Sequence, residues 1–153
     1  MNSKRKGSRW ERECAVLLSL MVDKDNKRIF WRTAGSGNFS TINRLQIQSG
    51  DLCIIDDRYK CDLVIECKNI SNVSIYPLSS KLEKIIHNLI KLYGKEWILM
   101  LRITNKGMYI ISPYILFNDN LSCVIKTGNT ELYTYLINDA LFGKLSNPKI
   151  GRK

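Results

Sequence analysis

Two short runs hold the residue types that could do chemistry: Gly50-Asp51-Leu52-Cys53-Ile54-Ile55 and, after a turn, Asp62-Leu63-Val64-Ile65-Glu66-Cys67-Lys68-Asn69. In an extended strand alternate side chains share a face, so Asp62, Val64, Glu66 and Lys68 project to one side and Leu63, Ile65 and Cys67 to the other. A carboxylate and an ammonium together at the end of an apolar strand are costly to bury unless a metal or phosphate partners them. A Glu-x-Lys triplet alone is common and ordinarily an ion pair where a strand reaches solvent. Asp51 changes the balance, because it opens the neighbouring strand and brings a second carboxylate beside Glu66. Two carboxylates with a backbone carbonyl and waters make a hard-oxygen site suited to Mg2+, with Mn2+ as a substitute. A metal there polarises a phosphodiester, while the lysine orients the attacking water and stabilises developing charge.

Other elements must position these groups. Trp10, Cys14, Leu17, Leu18 and Met21 recur at helical spacing, which predicts an amphipathic helix over about 8–22, with Ser8 as N-cap and Glu11 completing a capping box. Residues 28–33 read as a short strand, and Ala34-Gly35-Ser36-Gly37-Asn38 as a flexible loop whose glycines allow close backbone approach to a ligand. The polar segment from there to Ser49 has no assignable pattern. Strands at about 51–55 and 61–68, joined by the turn-like 56–60, look like a hairpin. A second helix is expected over 78–93 with its stop at Gly94, followed by a strand at 97–101 apolar enough to be buried on both faces. That strand, helix, strand crossover suggests a parallel pair in a mixed sheet. Asn105-Lys106-Gly107 turns the chain into a strand at 108–111, and a last helix is expected over about 130–142. The result is one α/β domain over 1–153, its basic ends at about 1–7 and 144–153 left free to be mobile.

Charge narrows the partner. Lys and Arg number 24 against 14 for Asp and Glu, a formal net charge of +10, so a polyanion is the natural ligand. The five cysteines, Cys14, Cys53, Cys61, Cys67 and Cys123, sit among apolar neighbours without a C-x-x-C pair. They read as reduced thiols, with Cys53, Cys61 and Cys67 serving as small buried hydrophobes, and argue against a zinc site. No apolar run reaches the length of a membrane helix, so a soluble, cytoplasmic protein is expected. His87 lies within the second helix pattern and reads as an exposed or hydrogen-bonded histidine rather than a general base. The tyrosines do not form an RNA-binding sheet signature.

Asp51 followed by Glu66-Cys67-Lys68 resembles the PD-(D/E)xK nuclease motif, with glycine in place of the motif's proline. Lys6-Gly7-Ser8-Arg9-Trp10-Glu11-Arg12-Glu13 resembles the first helix of archaeal-type Holliday-junction resolvases and their phage relatives, and Arg32-Thr33-Ala34-Gly35-Ser36-Gly37 resembles the arginine and small-residue loop of the same group. The three elements keep the family's order and cover residues 6 to 69.

The resemblance implies a restriction-endonuclease-like core, a central mixed β-sheet flanked by helices. It also implies a Mg2+-dependent endonuclease, foremost a Holliday-junction resolvase acting as a homodimer on four-way or branched DNA. Glu11, Asp51 and Glu66 would be metal ligands, with the Cys67 carbonyl a further one, Lys68 the catalytic lysine, and Ser36 the loop serine near the scissile phosphate. Lys4, Arg5, Lys6, Arg9, Arg32 and Ser36 would contact DNA. Glu13 rivals Glu11, since the two flank the apolar stripe from opposite sides, and the family spacing favours Glu11. Two alternatives stand beside this reading: a phage-type or restriction-like nuclease on duplex, branched or end-containing DNA, and a non-catalytic junction-binding protein that keeps the fold.

Overall fold

A computed structural model describes residues 3–33 and 50–153, with the backbone alone over 3–6. The first helix, α1 (Ser3–Val22), is followed by β1 (Phe30–Arg32), β2 (Leu52–Ile54), β3 (Tyr59–Cys61) and β4 (Val64–Ile70). Then come α2 (Ser80–Tyr93), β5 (Trp97–Ile103), β6 (Gly107–Ser112), β7 (Cys123–Thr127), β8 (Thr130–Leu136), a 3-10 turn at Asp139–Leu141 and β9 (Ile150–Arg152). Among the described residues no helix is long and apolar enough to cross a membrane.

The central sheet has five strands in the order β4-β5-β6-β8-β7. β4 and β5 are parallel, joined by α2 as expected, and the other pairs are antiparallel. β5 alternates between two cores: Ile98 and Met100 join the residues packed with α1, and Trp97, Leu99, Leu101 and Ile103 join those packed with α2. Each face of the sheet therefore carries one helix, and the apolar run at 97–101 is buried on both sides for that reason.

Beyond the open edge of β4 lies the small antiparallel ladder of β1 and β2. Fully buried Ser19 ties that ladder to α1, since its hydroxyl donates to the Ala15 carbonyl at 2.7 Å and accepts from the N–H groups of Ile29 and Phe30 at 3.1 and 3.0 Å. A hydroxyl can bridge a helix and a strand in this way where an alkyl side chain would leave two buried N–H groups without partners.

Three expectations are corrected. The runs at 51–55 and 61–68 do not form a hairpin: β2 pairs with β1, and β3 pairs with β9 at the far end of the chain. The intervening turn folds on itself through Asp56, whose carboxylate accepts from the backbone and guanidinium of Arg58. The helix expected over 130–142 is the strand β8, which Gly128 (φ 56°) turns back from β7; Thr130, Tyr133, Thr134 and Tyr135 are residues that suit a pleated surface. Ser8 is not an N-cap, because α1 begins at Ser3 and runs through it; lysine and arginine sustain a helix well. The basic C-terminal stretch lies against the body, with Asp62 N–H bonded to the Lys149 carbonyl at 2.7 Å and β9 on β3.

Candidate active site

β4 is the edge strand of the central sheet, and Asp51 docks on that edge. Its N–H donates to the Ile65 carbonyl at 2.8 Å, and its Oδ2 accepts from the Cys67 N–H at 2.7 Å. In a strand, the N–H and C=O of one residue lie on the same edge, so the Cys67 carbonyl belongs to the edge that faces Asp51. Gly50 makes the docking possible: with φ at 122°, it passes so close that a Cβ would sit 2.8 Å from the Ile65 oxygen and 2.9 Å from Val64 Cγ1. Thr33 secures the same turn from β1, its hydroxyl donating to the Gly50 carbonyl at 2.6 Å and its N–H to the Asp51 carbonyl at 2.9 Å.

Glu66 and Lys68 share one face of β4, and Lys68 Nζ is 3.7 Å from Glu66 Oε2. Lys68 remains partly exposed, whereas Glu66 is largely covered, with the Tyr93 hydroxyl of α2 at 3.5 Å from Oε1. Burial, then the negative charge of Asp51 and a carboxyl-to-carboxyl hydrogen bond with it, raise the Glu66 carboxyl above the usual glutamate range, against the pull of Lys68. Two acids crowded beside one lysine are a set that a divalent cation would relieve.

The other expected site residues are distributed around this centre. Glu11 is held by Arg32, Nε to Oε2 at 2.6 Å, and its rival Glu13 pairs with Arg102 at 3.0 Å. Among the described residues no group of three or more His, Cys, Asp and Glu side chains is close enough to hold a metal, and Glu11 is engaged by Arg32. Ser36 lies outside the described residues, as do the side chains of Lys4, Arg5 and Lys6. Arg9 is exposed on the first turns of α1.

His87 is exposed and bonded through Nε2 to the Thr127 hydroxyl at 2.8 Å, as its position suggested. None of the five cysteines is in a disulfide; Cys14, Cys61 and Cys67 are buried, while Cys53, expected to be buried, is only partly so because β2 lies in a two-stranded ladder.

No functional role for Tyr93, Arg102, Asn105 or Lys106 was legible in the sequence. Tyr93 closes the apolar stripe of α2, and its polar tip beside Gly94 was the available sign. Arg102, Asn105 and Lys106 lie around the β5–β6 turn, and together with Arg9, Trp10 and Asn69 they line a cleft of about 660 Å³. Within it the Arg102 guanidinium lies 5.3 Å over the Trp10 ring.

The model of the family described as "Phage putative PDDEXK endonuclease" matches residues 2–89, more than half of the 153-residue chain. No curated protein and no solved structure matches. The matched span contains α1, the β1–β2 ladder and the whole Asp51, Glu66, Cys67, Lys68 constellation. With that span and the mixed sheet behind it, the chain belongs to the phage putative PDDEXK endonuclease family.

Proposed function

We propose that the chain is a divalent-metal-dependent endonuclease on DNA, using Mg2+, with branched DNA and four-way junctions foremost as its substrate. The observation that carries this reading is the docking of Asp51 on the edge of β4, which brings a second carboxylate to Glu66 beside Lys68. Asp51, Glu66 and the Cys67 carbonyl would hold the cation. Bound there, it would supply Lewis-acid polarisation of the phosphodiester and a more acidic water.

The protein groups do the rest. The Cys67 N–H orients the Asp51 carboxylate, which would serve the cation together with Glu66. Lys68, partly exposed, can reach the attacking water and hold its charge. Glu11 would assist from α1 once Arg32 turns to a phosphate instead, and Ser36, outside the described residues, is assigned to the scissile phosphate by the family resemblance alone. Arg9 and the cleft around the β5–β6 turn offer a cationic path for the backbone. Two symmetric cuts in a junction would require two copies of the chain, hence a homodimer.

The phage description of the family favours a second reading with the same chemistry, a phage-type nuclease on duplex, branched or end-containing DNA. Purified protein incubated with a four-way junction, linear duplex and single strand, with and without Mg2+, separates the two by the preferred DNA. Glu11→Gln should slow cutting more than Glu13→Gln. Metal-independent cleavage, or cutting undiminished by Asp51→Asn, would overturn the reading.

A further inference from the structure

Of the three tryptophans, Trp10 and Trp97 are buried at 1% and 0% exposure, while Trp31 is 47% exposed on a three-residue strand. Its neighbours Phe30 and Arg32 turn toward α1, Phe30 into the core and Arg32 to Glu11. Strand alternation therefore sends Trp31 to the opposite side. Trp31 pairs with Cys53 across the β1–β2 ladder, which the Thr33 N–H to Asp51 carbonyl bond extends by one step. Asp51 thus lies two residues along from Cys53, the partner of Trp31, before its own N–H and carboxylate turn to the edge of β4.

We propose that Trp31 is a stacking platform for a nucleobase next to the bond that is cut, and that it makes the site select DNA with an unstacked base there. This rests on the nuclease reading: carboxylates that hold a cation for a phosphodiester bring the attached base within reach of a flat, exposed indole two residues along the ladder. In continuous duplex the base faces are hidden in the stack, and only an unpaired or splayed base offers one. The indole carries no charge and reads no base edge, so the contact selects DNA shape, not sequence.

Because Trp31 is the exposed indole, quenching that is lost in Trp31→Phe, which leaves Trp10 and Trp97 in place, reports the contact. Titration of the full chain with an oligodeoxythymidine in EDTA, where nothing is cut, should quench the emission, and blunt duplex of equal length should quench it far less. By labelled-DNA anisotropy, Trp31→Ala should lower the single-strand to duplex preference about ten-fold, with Trp31→Phe retaining most of it. Absence of quenching, or a preference unchanged in Trp31→Ala with native circular dichroism, would overturn the proposal. So would an emission that changes on dilution without DNA, which would place a second copy of the chain on Trp31. Mg2+-dependent cutting that ignores DNA form and the Trp31 substitution would sink the platform and leave the nuclease standing; quenching without any cutting would sink the nuclease and leave the base contact standing.

Discussion

The Asp51 carboxylate takes its position from the Cys67 N–H, 2.7 Å away, so the residue between Glu66 and Lys68 orients the acid that faces them. The three-residue run is thereby used on both sides of the strand: its outer side chains carry charge, and its central peptide fixes their partner.

Removing the charge of either acid should abolish the response to metal. Without metal, Asp51→Asn or Glu66→Gln relieves the repulsion between the two groups, so each variant should melt no lower than the parent. With Mg2+ at ten times its dissociation constant, the parent should gain about 1.4 kcal/mol, roughly 3–6 °C in Tm for a chain of this size, and the variants nothing. Paired thermal melts in EDTA and in Mg2+ check this. Cleavage by either variant should fall at least about 100-fold.

Gly50 stands where the related motif has proline, and its φ of 122° explains why. Proline is locked near −65°, so Gly50→Pro cannot form this turn. Gly50→Ala meets both the strained φ and the Ile65 oxygen and should cost about 1–3 kcal/mol, with cleavage reduced because Asp51 is displaced. Gly128→Ala is a control that separates strain from collision, since φ there is 56° but a Cβ would meet open space. It should lose about 1 kcal/mol and keep full cleavage. Denaturant melts with cleavage rates on both variants distinguish these outcomes.

The C-terminal closure should be acid-sensitive through Asp23. Its carboxylate accepts from the Tyr59 hydroxyl at 2.6 Å and faces Arg152 at 3.5 Å, and the tyrosine bond above all lowers its pKa below the usual aspartate range. A carboxyl whose folded-state pKa is lowered gives its stabilisation in full above its unfolded value, near 3.8, and loses it as pH falls through the folded value. Stability should therefore decline more steeply below about pH 4 in the parent than in Asp23→Asn or Tyr59→Phe, measured as Tm against pH. Equal slopes would show that the contact is not coupled to folding.

The legible parts of the fold were those where local pattern and tertiary environment agree. Leu82, Ile86 and Leu89 repeat at helical spacing because α2 has one wet face, and Trp97–Leu101 is continuously apolar because β5 has none. Thr130–Leu136 misled because Leu132, Tyr135 and Leu136 also fit a helical stripe, while the pairing with β6 that sets this segment inside the sheet comes from residues distant in sequence. The site divides in the same way. Glu66 and Lys68 could be placed on one face by strand alternation, and their proximity to Asp51 followed, although by edge docking and not through a hairpin. Tyr93 and the cluster of Arg102, Asn105 and Lys106 were not legible, since each reaches its place only when α2 or the β5–β6 turn packs against residues far away along the chain.

That turn also yields a prediction about how DNA is held. Arg9 and Lys106 are both exposed, and each lines the cleft beside Arg102. The roles of the three cations differ: Arg102 is engaged by Glu13 and by the Trp10 ring, so its loss would disturb α1 as well as charge. Lys106 donates to the Val73 carbonyl at 3.0 Å and keeps further N–H donors, while among the described residues Arg9 has no ion pair. Arg9→Ala and Lys106→Ala should therefore act as clean removals of one phosphate contact each. A phosphate contact releases counterions, so each substitution should lower the slope of log K against log salt by about 1, and the double variant by about 2. Binding isotherms for one labelled DNA between about 50 and 200 mM salt measure the slopes. Weaker binding with an unchanged slope would mean that these residues shape the cleft rather than neutralise phosphate, and unchanged binding would direct the DNA path away from the β5–β6 turn.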